Sequence, residues 1–170
     1  MAEVLVAYAT KRGSTEEIAS VIADEIGERG PRVHLRDARE VHDLLGYHAV
    51  VLGSALYNGR WQRPAVRLLR QHLAELARMR VWLFQSGPLD ERVHPPTTPR
   101  AVLRLLPRIG ADPPITFAGR LDAGTARGFI ARKMVEHGRA GDFRDWDAIR
   151  AWAAGIADAL TAVPDDRSAD

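Results

Sequence analysis

Short apolar runs alternate along this chain with segments in which apolar residues recur every three or four positions. Apolar runs without polar alternation predict strands that are buried on both faces, as in a parallel sheet. The helical period predicts that the segments between them are helices. Together they predict a three-layer α/β/α sandwich around a five-stranded parallel sheet. The predicted strands are residues 4–8, 32–35, 49–54, 80–85 and 115–118.

The predicted helices follow from the periodic segments and the residues that flank them. The first has acidic residues in its first turn and Ser14 or Thr15 as its N-cap. A later one leaves His72 to solvent, and the last buries Trp146 and Trp152. We expect one domain over residues 1–162 and a polar tail at 163–170. The predicted helical segments are 16–26, part of 37–45, 64–76, 101–106, 129–137 and 145–160.

The composition excludes several kinds of chemistry. The 170 residues contain no cysteine, which rules out disulfides, thiolate catalysis and cysteine-ligated metals. The formal net charge of +2 is too small to indicate nucleic-acid binding, and it is unlike that of a strongly acidic electron shuttle. No apolar run approaches the roughly 20 residues that cross a bilayer, and the start is not a signal peptide. A cytoplasmic location and no metal site are therefore expected.

The segment after the first strand combines hydroxyl groups, cations and a glycine directly before a helix: Thr10, Lys11, Arg12, Gly13, Ser14 and Thr15. Backbone N–H groups and the helix dipole bind anions at such a start. Gly13 also lets a ligand approach the backbone closely. The spacing fits neither a Walker A loop nor the three-glycine dinucleotide fingerprint. We therefore predict a phosphate site, with an ordinary capped turn as the alternative.

Two further loops leave the carboxyl ends of neighbouring strands. In a sheet of order 2-1-3-4-5, the strand order reverses between strands one and three, and ligands bind beyond that point. Tyr57 and Trp61 flank an Asn58-Gly59 turn and are expected to lie against a flat heterocycle, or else to pack into the local core. The turn after strand four is expected to present backbone N–H groups to the heterocycle's polar edge, or to be a simple strand exit.

The loop at 10–15 resembles the FMN-phosphate loop of the flavodoxin family, Thr-x-x-Gly-x-Thr, in its length, position and hydroxyl groups. This resemblance implies a flavodoxin-like fold and FMN as cofactor, with the next two loops around the isoalloxazine ring. An Asn58-Gly59 peptide that flips beside the flavin N5 would suit such a loop. The residues that the resemblance marks as cofactor-binding are Thr10, Lys11, Arg12, Gly13, Ser14, Thr15, Ser54, Ala55, Leu56, Tyr57, Asn58, Gly59, Ser86, Gly87, Pro88 and Leu89.

The layout after the fifth strand is similar to that of the flavodoxin-like menaquinone-dependent protoporphyrinogen IX dehydrogenases. Gly119 is followed by an insert, and Asp145-Trp146 begins the last helix. The resemblance implies an FMN enzyme that oxidises protoporphyrinogen and passes electrons to a membrane quinone. The insert at 120–145 is shorter and less aromatic than that family implies. Its predicted helix is therefore open to three roles: capping the sheet edge, touching a bilayer surface or covering the flavin.

Three functions stay open at this point. The first is an FMN-dependent oxidoreductase, in which the flavin carries the chemistry and no catalytic side chain is identified. The second is a flavodoxin-like electron carrier without a substrate of its own. The third is a binding module for a deazaflavin or another phosphorylated ligand. The expected partners are a small-molecule reductant or porphyrinogen and a quinone or redox-protein acceptor, with peripheral membrane contact and a homodimer left open and nucleic acid excluded.

Overall fold

Five parallel strands form the central sheet of this protein. The computed structural model describes residues 1–87, 97–121, 141–142 and 144–162. The strands run in the spatial order β2-β1-β3-β5-β6, which confirms the predicted order 2-1-3-4-5 of the five parallel strands. A short strand, β4 (Arg60–Trp61), pairs antiparallel with β3 outside this order. The five parallel strands are β1 (Glu3–Ala9), β2 (Arg32–Asp37), β3 (Ala49–Tyr57), β5 (Arg80–Gly87) and β6 (Ile115–Ala118).

Both faces of the sheet are covered, which is why its strands lack polar alternation. In β1, Val4 and Val6 face one hydrophobic core, while Leu5 and Ala7 face the other, and all four are fully buried. Successive side chains of a strand point to opposite faces, so a strand that is covered on both sides must be apolar throughout. The continuous apolar runs of the sequence are therefore explained by a three-layer fold, in which helices cover both faces of the sheet.

The helices divide between the two faces of the sheet. Helices α1 (Ser14–Glu28) and α6 (Trp146–Thr161) pack on one face against Val4 and Val6. The 3-10 helix (Ala38–Glu40) and the remaining helices cover the other face. These are α2 (Arg63–Gln71), α3 (Leu73–Leu76), α4 (Arg100–Leu103) and α5 (Leu106–Ile109).

The single helix predicted over residues 64–76 is broken at His72. Its backbone leaves the helical region at φ −115° and ψ 28°, and α3 then restarts so that Leu76 still lies in the core. The imidazole is buried, with Nδ1 3.4 Å from Glu75 Oε1, so the prediction that His72 faces solvent is wrong. A break of this kind follows from tertiary packing and leaves the helical period of the sequence unchanged.

The last part of the fold extends beyond the predicted elements. Strand β7 (Arg120–Leu121) pairs antiparallel with β8 (Gly141–Asp142). The short helix predicted over 101–106 is present as α4 and α5, with a break between them. The predicted helix at 129–137 and the predicted tail at 163–170 lie outside the described residues. Among the helices that are described, none is long and apolar enough to cross a membrane.

We expect Gly53→Ala to destabilise the fold because the centre of the sheet has no room for a side chain. A Cβ at Gly53 would lie 2.0 Å from Cζ of Phe84, whose side chain is fully buried. Overpacking of this kind costs about 1–3 kcal/mol in the free energy of unfolding. Urea denaturation measures the change. The matched control is Gly155→Ala in α6, where a Cβ meets nothing within 4 Å and should stabilise the helix by about 0.5–1 kcal/mol. Equal effects of the two substitutions would contradict this packing.

Candidate functional site

The loop between β1 and α1 is closed by a side chain of its own. Gly13 has φ 89°, in the left-handed region that glycine adopts without strain, and its N–H donates to Thr10 Oγ1 over 2.9 Å. Gly13 is also the N-cap of α1, and no side chain caps this helix. The prediction that Ser14 or Thr15 is the N-cap is therefore wrong. The first turn of α1 thus begins directly after the left-handed Gly13.

The hydroxyl of Thr15 is used for a longer-range contact instead. Thr15 Oγ1 lies 2.8 Å from Ser86 Oγ, and both side chains are buried, at 1% and 3% exposure. This hydrogen bond joins the first turn of α1 to the carboxyl end of β5. Two of the three predicted loops are thereby connected to each other within the core.

Ser86 and Gly87 belong to strand β5 and not to a turn. Ser86 is in register with Phe117 and Gly87 with Ala118, and Gly119 N–H donates to Gly87 O over 2.8 Å. The prediction that a turn begins at Ser86 is wrong because β6 extends the pairing of β5 by two residues. Pro88 and Leu89 lie outside the described residues.

The loop after β3 is a β-hairpin. Strand β3 continues past Ser54, where the predicted strand ends, and Tyr57 pairs with Arg60 of β4. Asn58 and Gly59 form the turn with φ values of 50° and 68°, the left-handed pair that a tight hairpin requires. The Asn58-Gly59 turn is therefore confirmed, and both of its residues are exposed.

Ser54 holds the base of this hairpin. Its side chain is fully buried, and its Oγ accepts a hydrogen bond from Gln62 N–H over 2.8 Å and donates to Ala55 O over 3.0 Å. Ala55 and Leu56 are half-buried beyond it. The described contacts of the Ser54 hydroxyl are thus structural, because they fix the path of the chain into and out of the turn.

Trp61 lies in the core and not beside the open end of the sheet. It is 5% exposed, and its Nε1–H donates to Gln85 Oε1 over 2.9 Å. Gln85 Nε2 in turn donates to Thr116 Oγ1 over 3.0 Å, so the indole belongs to a buried polar chain. Of the two expectations for Trp61, packing into the local core is therefore the one confirmed. Antiparallel pairing with Leu56 turns the indole inward, where it packs with the residues beneath α2.

Tyr57 brings the hairpin and the 10–15 loop together. Lys11 Nζ lies 3.7 Å from the centroid of the Tyr57 ring, a cation–π distance. The expected juxtaposition of the two loops across the end of the sheet is therefore present. Tyr57 is half-buried, so part of its ring remains exposed.

Arg12 carries an unsatisfied buried donor in the same loop. Its Nη2 is buried and has no hydrogen-bond partner. Every other buried side-chain nitrogen or oxygen of the described residues has at least one hydrogen-bond partner. A buried guanidinium donor without an acceptor is costly, since it has lost its water without a replacement. Such a donor indicates a place for an anion.

Glu16, which follows the loop, is engaged by Tyr8. The Tyr8 hydroxyl donates to Glu16 Oε1 over 3.0 Å. Burial, and then this hydrogen bond to Glu16, raise the pKa of Tyr8 to about 12. The hydrogen bond joins the Glu16 side chain, at the start of α1, to Tyr8 in β1.

Arg144 is a residue of this region that the sequence reasoning missed. Its side chain, 4% exposed, pairs with Glu17 at the start of α1 and with Asp142 in β8, where Nε and Asp142 Oδ1 are 2.7 Å apart. Its guanidinium also lies 4.5 Å from the Trp146 ring centroid. The hydrogen bond to Asp142 is the main reason that the pKa of Arg144 is raised. In the sequence, the only sign of this arrangement is the cluster of charged residues that precedes Trp146, namely Asp142, Arg144 and Asp145.

A separate hollow of about 710 Å³ lies between the 3-10 helix and α2. None of the cofactor-binding residues predicted from the sequence lines it; its walls include Arg39, His42, Arg63 and Arg67. Within the described part of the chain, no group of three or more His, Asp or Glu side chains is arranged to hold a metal ion.

Comparison with known proteins identifies the family. A sequence model described as a flavodoxin domain matches residues 5–141. The chain belongs to the flavodoxin domain family. The match spans β1 to β8 and includes the 10–15 loop, the hairpin and the end of β5. Membership of this family points to FMN as the cofactor.

Solved structures share the fold of this flavodoxin-domain protein at low sequence identity. A flavodoxin from the domain Archaea has a TM-score of 0.66 and 14% identity, covering 93% of this chain and 98% of the archaeal one. Flavodoxin 2 from Bacillus cereus has a TM-score of 0.59 and 22% identity, covering 94% of this chain and 99% of the other. No curated protein sequence matches the chain.

A longer solved structure shares the fold over part of its length. The rubredoxin oxygen:oxidoreductase of the anaerobe Desulfovibrio gigas has a TM-score of 0.64 and 18% identity, and the match covers 94% of this chain. This chain spans only 36% of that protein. At these identities the solved structures establish the fold alone.

The Thr15–Ser86 hydrogen bond is testable by a double-mutant cycle. Thr15→Val leaves the buried Ser86 hydroxyl without this partner, and Ser86→Ala does the reverse, so each substitution should cost about 1–3 kcal/mol in the free energy of unfolding. The double variant should cost less than the sum of the two, because both orphaned groups are then removed. Denaturant unfolding measures all four proteins. Strict additivity of the two costs would mean that the hydroxyls do not interact.

Proposed function

We propose that this protein is an FMN-dependent oxidoreductase whose 10–15 loop binds the FMN phosphate. The observation that carries the proposal is the buried, unpartnered Nη2 of Arg12 in a loop that leads into an uncapped helix. A phosphate dianion would supply the missing acceptor for Arg12. It would also accept from N–H groups of the first turn of α1, which have no partners within the helix.

The hydrogen bonds of the 10–15 loop indicate which of its residues shape the loop and which are available to a ligand. Thr10 already accepts from Gly13 N–H, and Thr15 is bonded to Ser86, so these two hydroxyls shape the loop. Arg12 and the helix start are then the groups that face the anion. Lys11 lies beside Tyr57 and adds positive charge at the border between the phosphate and the ring.

The hairpin suits the isoalloxazine ring. Tyr57 offers a half-buried aromatic face, and the exposed Asn58-Gly59 peptide offers polar groups to the ring edge. Gly59 tolerates both signs of φ, so this peptide can turn over and exchange a carbonyl for an N–H. When bound, FMN supplies hydride or single-electron transfer, and the protein orients the ring and controls its access to water.

A fluorescence titration with FMN tests the phosphate site. Lys11→Ala and Arg12→Ala should each weaken FMN binding by about tenfold or more, because each removes a positive charge near the phosphate and Arg12→Ala also removes a charge-assisted hydrogen bond. The loss should be larger at low salt, where the charges are less screened. Arg29→Ala, in a cation at the far end of α1, is the control and should bind FMN as the unaltered protein does.

The alternatives are separated by the same titration. Unaltered protein that remains colourless and does not quench FMN fluorescence would overturn the proposal. Binding of 5-deaza-FMN in preference to FMN would favour the deazaflavin module. Full affinity in both Lys11→Ala and Arg12→Ala would contradict the role given to the two cations.

The finer proposal is a protoporphyrinogen dehydrogenase that passes electrons to a quinone. Its support is the layout after β6, with an insert before the Asp145-Trp146 start of α6. A second candidate is an electron carrier without its own substrate. The observation that favours it is the match to flavodoxins over 98–99% of their own length.

Anaerobic mixing distinguishes these two functions. The FMN-loaded protein is mixed with protoporphyrinogen IX, and flavin absorbance is followed before and after a quinone analogue is added. Bleaching by the porphyrinogen, reversed by the quinone with porphyrin formed, is the expected result for the dehydrogenase. Flavin that stays oxidised with porphyrinogen but is reduced rapidly by a flavodoxin reductase would identify the carrier.

A further inference from the structure

The α-helices on the two faces of the sheet carry opposite charge. On one face of the sheet, α1 and α6 contain seven carboxylates and one arginine, Arg150. On the other face, the segments 63–76 and 100–109, which we call the arginine layer, contain six arginines and one carboxylate, Glu75. The net charge of +2 conceals this separation. The six are Arg63, Arg67, Arg70, Arg100, Arg104 and Arg108, and all are exposed.

The charge of the arginine layer is not neutralised within the described part of the chain. None of its six guanidinium groups forms an ion pair with a described carboxylate. By contrast, Arg29 at the end of α1 pairs with Glu25 and lies 3.7 Å from Asp158 of α6. Clustered cations without counter-charges create a positive field that attracts an anionic surface.

An exposed apolar side chain lies among these arginines. Leu103 of α4 is 46% exposed, between Arg100 and Arg104. The hollow that Arg63 and Arg67 line opens on this same layer and has Leu68 in its wall. Exposed leucine beside arginine is typical of surfaces that rest at the boundary between lipid headgroups and acyl chains.

We propose that the arginine layer docks on an anionic phospholipid bilayer. Lys11, Arg12 and Arg60 already supply cations at the 10–15 loop and the hairpin, where a redox protein would meet the flavin edge. The six arginines of the layer extend the positive surface beyond these loops, across both α2 and the α4–α5 segment, as a broad lipid surface requires. The contact uses folded helices rather than the insert at 120–145, and it does not rest on the proposed function, since it needs no FMN.

Vesicle co-sedimentation of the full chain tests this docking. The protein should sediment with vesicles of equal phosphatidylcholine and phosphatidylglycerol and stay in solution with phosphatidylcholine alone. Salt at about 1 M, where the screening length falls to about 3 Å, should release it. The paired substitution Arg104→Gln and Arg108→Gln should weaken binding about tenfold or more.

A matched control separates the arginine layer from net charge. Arg29→Gln with Arg150→Gln removes the same charge from the acidic face and should leave vesicle affinity within about twofold. Leu103→Ser should weaken binding while leaving its salt dependence intact. Circular dichroism verifies that each variant is folded.

Three results would overturn the proposal. Equal losses in the two arginine pairs would mean that net charge alone governs binding. Equal binding to neutral and anionic vesicles would exclude an electrostatic contact. Retention on immobilised poly-glutamate without vesicle binding would assign the layer to an acidic protein. A protein that binds vesicles but not FMN would fail the proposed function and leave this inference standing.

Discussion

A single buried hydrogen bond determines the geometry of the candidate site. Thr15 and Ser86 are 71 residues apart in sequence, yet their hydroxyls meet at 2.8 Å. Because Thr15 is in the first turn of α1 and Ser86 is near the end of β5, this contact fixes where the helix start lies relative to the sheet. A hydroxyl pair excluded from water has no alternative partner, so the distance is held more firmly than a surface contact would hold it.

The loops around this contact are preorganised in different ways. Thr10 closes the turn before α1, Ser54 ties down the hairpin, and Lys11 with Tyr57 joins the two. Most polar side chains that the sequence presents as ligand-binding candidates are thus already bonded to the protein. Arg12, whose Nη2 is buried without a partner, is the exception, and the proposed function gives the anion to this donor and to backbone groups.

The layers and the strand order could be predicted from the sequence, because burial on both faces makes each strand apolar throughout. The residues at which strands and helices begin and end could not be predicted, since they depend on partners elsewhere in the chain. Gly87 stays in β5 because of β6, and Trp61 turns inward because it pairs with Leu56. Arg144 was missed for the same reason, as its partner Glu17 is remote in sequence. The charge difference between the layers becomes visible only when residues are assigned to faces.

The aromatic contacts beneath α6 mean that one face of the sheet is completed only after the last helix has been synthesised. Phe84 fills the space beside Gly53, and its ring and that of Phe117 lie 6.0 Å and 5.6 Å from Trp152 of the last helix. The strands and α1 leave the ribosome first with this aromatic surface uncovered. Until Trp152 and Ile156 emerge, this face of the nascent protein remains an exposed apolar surface, which the final helix then covers.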